Sequence, residues 1–90
     1  MSDALIDRVR NVIAGVKHVP VEKISIDSTF QEIEVDSMDA VEILFGLENE
    51  FDISIPDEDA KRVRSVRDMV AGVEKLLSAK GADAAANQQI

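Results

Sequence analysis

The chain has 90 residues, no cysteine and a net charge of −8, with apolar residues at 46%. That length fits one domain, and the apolar share supports a packed core rather than disorder. The charge disfavours nucleic acid and anionic membranes, whose phosphates call for a basic surface. The missing cysteines exclude a disulfide framework and any thiolate chemistry of the chain's own.

No apolar run approaches the ~20 residues of a membrane span, and the first residues lack the core of a signal peptide. A cytoplasmic monomer without membrane insertion is expected. The charge is unevenly placed. Residues 1–31 balance four acids with four bases, residues 32–59 hold eleven acids and no Lys or Arg, and residues 60–90 carry a net +3. Basic patches on other proteins are the natural complement of the middle stretch.

In chain order, Asp3 to about Val16 reads as an amphipathic helix, with Leu5, Val9, Val12, Ile13 and Val16 at three- and four-residue steps. Ser2 or Asp3 can cap it, and Pro20 ends or follows it. The connection from Pro20 to Asp36 holds Val21, Ile24, Ile26, Phe30 and Ile33, too many apolar residues for a solvated loop. It reads as a loop packed over the core, with one helical turn near Ser28–Gln31.

Ser37 to Phe51 forms the second helix, capped by Asp36 with Asp39 in its first turn. Ala40, Leu44, Leu47 and Phe51 share its narrow apolar stripe. Asp39, Glu42, Asn49 and Glu50 fall opposite, and Met38 and Phe45 sit together on the border. The segment from Asp52 to Ile55 is a loop. Pro56 and the acids Asp57, Glu58 and Asp59 open a short third helix that ends near Val63. Ser65 and Asp68 form a capping box for the last helix, which runs from Val66 to about Ala79. Val66, Met69, Val70, Val73, Leu76 and Leu77 form its buried face. Gly81 stops it. The expected fold is all-α, a small bundle of three long helices and one short one. It divides into a domain over residues 1–80 and a flexible tail over 81–90.

Catalysis by the chain alone is not expected. A nucleophilic serine needs a neighbouring base, and the sole histidine, His18, lies just past the first helix. No G-x-S-x-G elbow surrounds Ser37, and no lysine lies between Lys23 and Lys61. The acids around Asp52 do not match a calcium loop, because Asp57 stands where glycine is required. No metal ligands are expected. Ser37 remains as an attachment point, since a helix N-terminus offers free N–H groups and roughly half a positive charge to a phosphodiester.

Asp36-Ser37-Met38-Asp39-Ala40-Val41-Glu42, then Leu47-Glu48-Asn49-Glu50-Phe51-Asp52-Ile53, then Ile55-Pro56-Asp57-Glu58 resembles an acyl carrier protein. The resemblance covers residues 4–78. It implies 4′-phosphopantetheine on Ser37, installed from coenzyme A by a phosphopantetheinyl transferase, with acyl groups carried as thioesters. Asp36 and Met38 would flank the cofactor. Asp36, Met38, Asp39, Glu42, Phe45 and Glu48 would meet acyl-loading and acyl-processing enzymes through their basic patches. Leu44, Leu47, Phe51, Val66, Val70 and Val73 would form the core and line any acyl cavity.

The chain departs from the family pattern at Ile33-Glu34-Val35, where Leu-Gly-Ala or Leu-Gly-Val is usual, and at Met38, where Leu is usual. Lys61, Arg62, Arg64 and Arg67 make the third-helix region basic. These departures point to a carrier serving a dedicated lipid or polyketide pathway rather than general fatty acid synthesis. Two alternatives stand beside that reading: an aminoacyl or D-alanyl carrier, and an acidic helical interaction module whose serine is never modified.

Overall fold

The computed structural model describes the backbone of residues 2–88 and the side chains of residues 2–80. Four α-helices follow in order: α1 (Asp3–Lys17), α2 (Ser37–Phe51), α3 (Asp57–Arg62) and α4 (Val66–Gln88). One 3₁₀ turn, Val21–Lys23, lies between α1 and α2. The all-α bundle expected from the periodicity is the fold observed.

The Ser2 side chain accepts the Leu5 N–H and opens α1, and His18 closes it in the left-handed conformation. Val9, Ile13 and Ala14 on α1 meet Ile43, Leu47 and Phe51 on α2 and Val66, Met69, Val70 and Val73 on α4. Dispersion and apolar burial among these side chains hold the three long helices together. The α2 stripe is rotated slightly from the sequence expectation. Ile43 is 1% exposed, whereas Ala40 and Leu44 are half-buried at the rim. The steps 43, 47 and 51 keep a strict four-residue spacing, and that row is the one facing both α1 and α4. Leu47, Phe51, Val66, Val70 and Val73 are core as expected.

The connection after Pro20 does pack on the core. Ile24 is buried, and Val21, Phe30 and Ile33 lie against the cluster. Arg10 fixes its start, donating from Nε to the Ile24 carbonyl and from Nη2 to the Val21 carbonyl at 3.0 Å. The 3₁₀ turn at Val21–Lys23 comes first, and the helical turn expected near Ser28–Gln31 follows, shifted onward to residues 30–34, where the Ile33 N–H donates to the Thr29 carbonyl at 3.2 Å. Proline sets φ for the first. Thr29 and Glu32 stabilise the second, each accepting the other's backbone N–H through its side chain.

The loop before α4 lies against this connection. Phe30 N–H donates to the Arg64 carbonyl and Val66 N–H to the Ser28 carbonyl, both at 2.9 Å. The capping box expected there is half formed. Ser65 Oγ accepts the Asp68 N–H, but the Asp68 carboxylate takes the N–H of Arg64 rather than that of Ser65. Helix α4 does not end at Gly81. It runs to Gln88, so the tail expected over 81–90 is helical through that residue, and its last two residues lie outside those described. Alanine is the best helix former, and one glycine costs only about 1 kcal/mol against so many neighbours.

Gly46 lets α1 and α2 approach. A Cβ there would lie 2.8 Å from Val12 Cγ1, inside the contact distance of two carbons. Valine is stiff at χ1 and cannot swing aside. Gly46→Ala should therefore lose about 1–3 kcal/mol despite its better helix propensity. Chemical denaturation checks this, and a gain in stability would place the α1–α2 contact elsewhere.

Candidate functional site

Ser37 is the first residue of α2, and its side chain is exposed. Asp36 precedes it as N-cap, with Oδ1 accepting the Asp39 N–H at 2.8 Å. Asp39 returns the contact, its Oδ2 accepting the Asp36 N–H at 3.4 Å. This reciprocal box leaves the N–H groups of Ser37 and Met38 pointing out of the helix end, where α2 has no carbonyl for them. Among the described residues, Ser37 Oγ has no hydrogen-bond partner, and His18 is not joined to it.

Lys17, at the end of α1, holds the turn from behind. Its Nζ donates to the Glu34 carbonyl and to Asp39 Oδ2, each at 2.8 Å. That pair is largely shielded, with side chains about one-fifth exposed. The hydrogen bond to Asp39 raises Lys17 above its usual 10.5, and the hydrogen bond from Lys17 holds Asp39 below its usual 3.8. Glu34 itself has φ 56°, the left-handed region that favours glycine. Glu34 thus adopts a shape that favours glycine at the position where the resemblance led to a glycine being expected.

One flank of α2 is apolar and open. Met38 is 75% exposed, Phe45 60% and Val41 49%. With Ser37 and Glu42 they line a shallow groove of about 430 Å³. The border pair expected from the helical wheel is thus a trio. Val41 joins Met38 and Phe45 on that border, a position the helical wheel does not mark. Its spacing, three after Met38 and four before Phe45, was the available signal.

The acids separate into two groups. Asp36 and Glu42 are exposed beside the groove. Asp39 and Glu48 are half-buried and already engaged: Asp39 with Lys17, and Glu48 through Oε2 with the Ile55 N–H at 2.9 Å. Glu50, expected on the acidic face, instead pairs with Arg8, which also stacks 4.4 Å from the Phe51 ring centroid. Among the described residues no cluster of metal ligands occurs, and no helix is long and apolar enough to cross a membrane.

The bundle and its capped, outward-facing serine define a small helical carrier domain. The family model for the phosphopantetheine attachment site matches residues 7–73, and the chain belongs to that family. It is 40% identical over 78 residues to the acyl carrier protein of Akkermansia muciniphila, covering 84% of this chain and 98% of that one. The solved acyl carrier protein of Thermotoga maritima superposes with a TM-score of 0.61 at 28% identity, covering 79% of this chain and 92% of the other. A mupirocin didomain ACP reaches a TM-score of 0.72 at 18% identity, which shows the fold alone. The two share 86% of this chain and 42% of the didomain.

The cofactor of the family is covalently attached 4′-phosphopantetheine. The residues present fit it. A free hydroxyl stands at a helix N-terminus with two outward N–H groups, beside an apolar groove.

The linkage between Lys17 and Asp39 sets a pH window. Asp39 has a lowered folded pKa, so its contribution is present above 3.8 and is lost as pH falls through the folded value. Lys17 has a raised one, so its contribution is present below 10.5 and is lost as pH rises through the folded value. The melting temperature of the wild type should exceed that of Asp39→Asn most between those limits, and the gap should close on either side. A gap independent of pH would remove the ion pair as its cause.

Proposed function

We propose that Ser37 is the attachment residue and that the chain carries acyl intermediates as thioesters, delivering them to enzymes of fatty acid synthesis or of a dedicated lipid or polyketide pathway. One observation carries this reading. The single exposed hydroxyl at the head of α2 has no base beside it, yet it sits on a capped, cationic-end turn next to an open apolar groove.

A serine without a base is a poor nucleophile. Its activation must come from another protein, a phosphopantetheinyl transferase using coenzyme A. Ser37 Oγ then bears the phosphodiester, and the outward N–H groups of Ser37 and Met38 and the α2 dipole favour its charge. The attached arm supplies the thiol that a chain without cysteine lacks. On this reading the chain is a carrier and the chemistry belongs to its partners.

Recognition would combine two forces. Exposed Asp36 and Glu42 attract Lys and Arg on partner enzymes and raise the association rate. Met38, Val41 and Phe45 supply the apolar area that fixes the docked orientation, with Met38 adapting to different surfaces. Asp39 and Glu48 serve mainly the chain's own turns, since their carboxylates are occupied.

Incubation with a phosphopantetheinyl transferase and coenzyme A tests this. The intact mass should rise by one phosphopantetheinyl group in the wild type and stay constant in Ser37→Ala. A wild type that stays unmodified, or a modification that survives Ser37→Ala, would defeat the proposal and favour the unmodified interaction module.

A further inference from the structure

Helix α3 opens on Asp57, Glu58 and Asp59, but its last turn and the loop after it, Lys61 to Arg64, carry charge of the other sign. Arg8, Arg10, Lys17, Arg67 and Lys80 are each ion-paired within the chain. The side chains of Lys61, Arg62 and Arg64 are exposed and, among the described residues, have no ion-pair or hydrogen-bond partner, although the chain holds 18 acids. Lys61 and Arg64 flank a recess of about 460 Å³ whose remaining lining is Thr29, Phe30, Gln31 and Val63. No carboxylate lines it. Glu32, the nearest acid along the chain, is turned to the Thr29 N–H and lines a different recess with Lys17 and Lys23.

We propose that this recess is a second docking surface, one that takes an acidic segment of a partner protein with an apolar side chain between its acids. Half-buried Phe30 and Val63 offer the apolar seat, and the cations stand on its rim. The seat is preformed. The Phe30 N–H to the Arg64 carbonyl and the Val66 N–H to the Ser28 carbonyl tie its two walls together at 2.9 Å. Arg62 extends the basic edge over Val63 into the adjoining recess, where Lys75 also lies beside Asp59 and Asp68.

The occupant is a protein segment for an electrostatic reason. A net charge of −8 repels extended polyanions such as nucleic acid or an anionic bilayer. A local acidic patch on a protein feels chiefly the nearby cations, because interactions between exposed charges are screened beyond ~8 Å at physiological salt. Two cations set around an apolar floor also suit separated carboxylates better than one compact phosphate.

With the acidic face of α2, this surface makes the molecule two-signed. A partner bearing a basic patch and an acidic segment in matching places would be accepted in one orientation, and a uniformly basic one would meet Lys61 and Arg64 with like charge. The inference does not depend on Ser37.

The test is an NMR titration of the ¹⁵N-labelled full chain with a short capped peptide of Glu and Ser around one central Phe. Saturable shifts are expected at Thr29, Phe30, Gln31 and Lys61 to Arg64, fading with added salt. Lys61→Gln combined with Arg64→Gln should weaken the peptide at least about ten-fold, a change of ~1.4 kcal/mol, with an unchanged melting temperature. Shifts that are absent, or that gather elsewhere, would overturn the proposal. So would an unaffected double variant, or inorganic phosphate or anionic vesicles producing the same saturable shifts as the peptide.

Discussion

The Lys17 ammonium reaches from the end of α1 to both sides of the Ser37 turn, taking the Glu34 carbonyl and the Asp39 carboxylate at 2.8 Å each. Much of the molecule is arranged around that contact. Asp39 is also the third helical residue that closes the capping box with Asp36. The same carboxylate therefore neutralises a cation, caps a helix and fixes where Ser37 projects. A helix end leaves its first N–H groups unsatisfied. Here two are taken up by side chains, and the two nearest the hydroxyl stay outward. The strained Glu34 conformation is held in place by its carbonyl's bond to Lys17 rather than by the freedom of a glycine.

Helix α2 has two apolar stripes with different purposes. Ile43, Leu47 and Phe51 are buried against α1 and α4, and Gly46 lets α1 come close. Met38, Val41 and Phe45 stay open to solvent, which costs hydration free energy and suits the docking role proposed for them. The acidic residues are divided in the same way. Beside the open stripe, Glu42 is exposed and Asp36 is exposed while it caps α2, whereas Asp39, Glu48 and Glu50 are engaged in turns and ion pairs. Charge count alone therefore overstates the surface available to a basic partner.

Most of this was legible in the sequence. The limits of α1 and α2 followed from Ser2, Asp36 and the three- and four-residue apolar steps, because capping and periodicity are local. The attachment motif and the acid-rich stretch gave the family. What stayed hidden depends on tertiary contact. No local pattern says that Lys17 reaches Asp39, twenty-two residues on, or that Glu48 satisfies the Ile55 N–H. The register of the α2 stripe slipped from Leu44 to Ile43 because packing against two helices, not the wheel, sets its centre. Helix α4 runs past Gly81 because the helix-favouring alanines around it outweigh the cost of one glycine.

On the function proposed above, the Lys17 contact presents Ser37 for modification, beyond keeping the bundle folded. The direct measurement is the rate of phosphopantetheinyl transfer to wild type, Lys17→Met and Lys17→Arg, at a temperature where circular dichroism shows all three folded. Lys17→Met is expected to lower kcat by about ten-fold, as small misplacements of a reacting group do, and Lys17→Arg to recover much of it. Modification of folded Lys17→Met at the wild-type rate would contradict it.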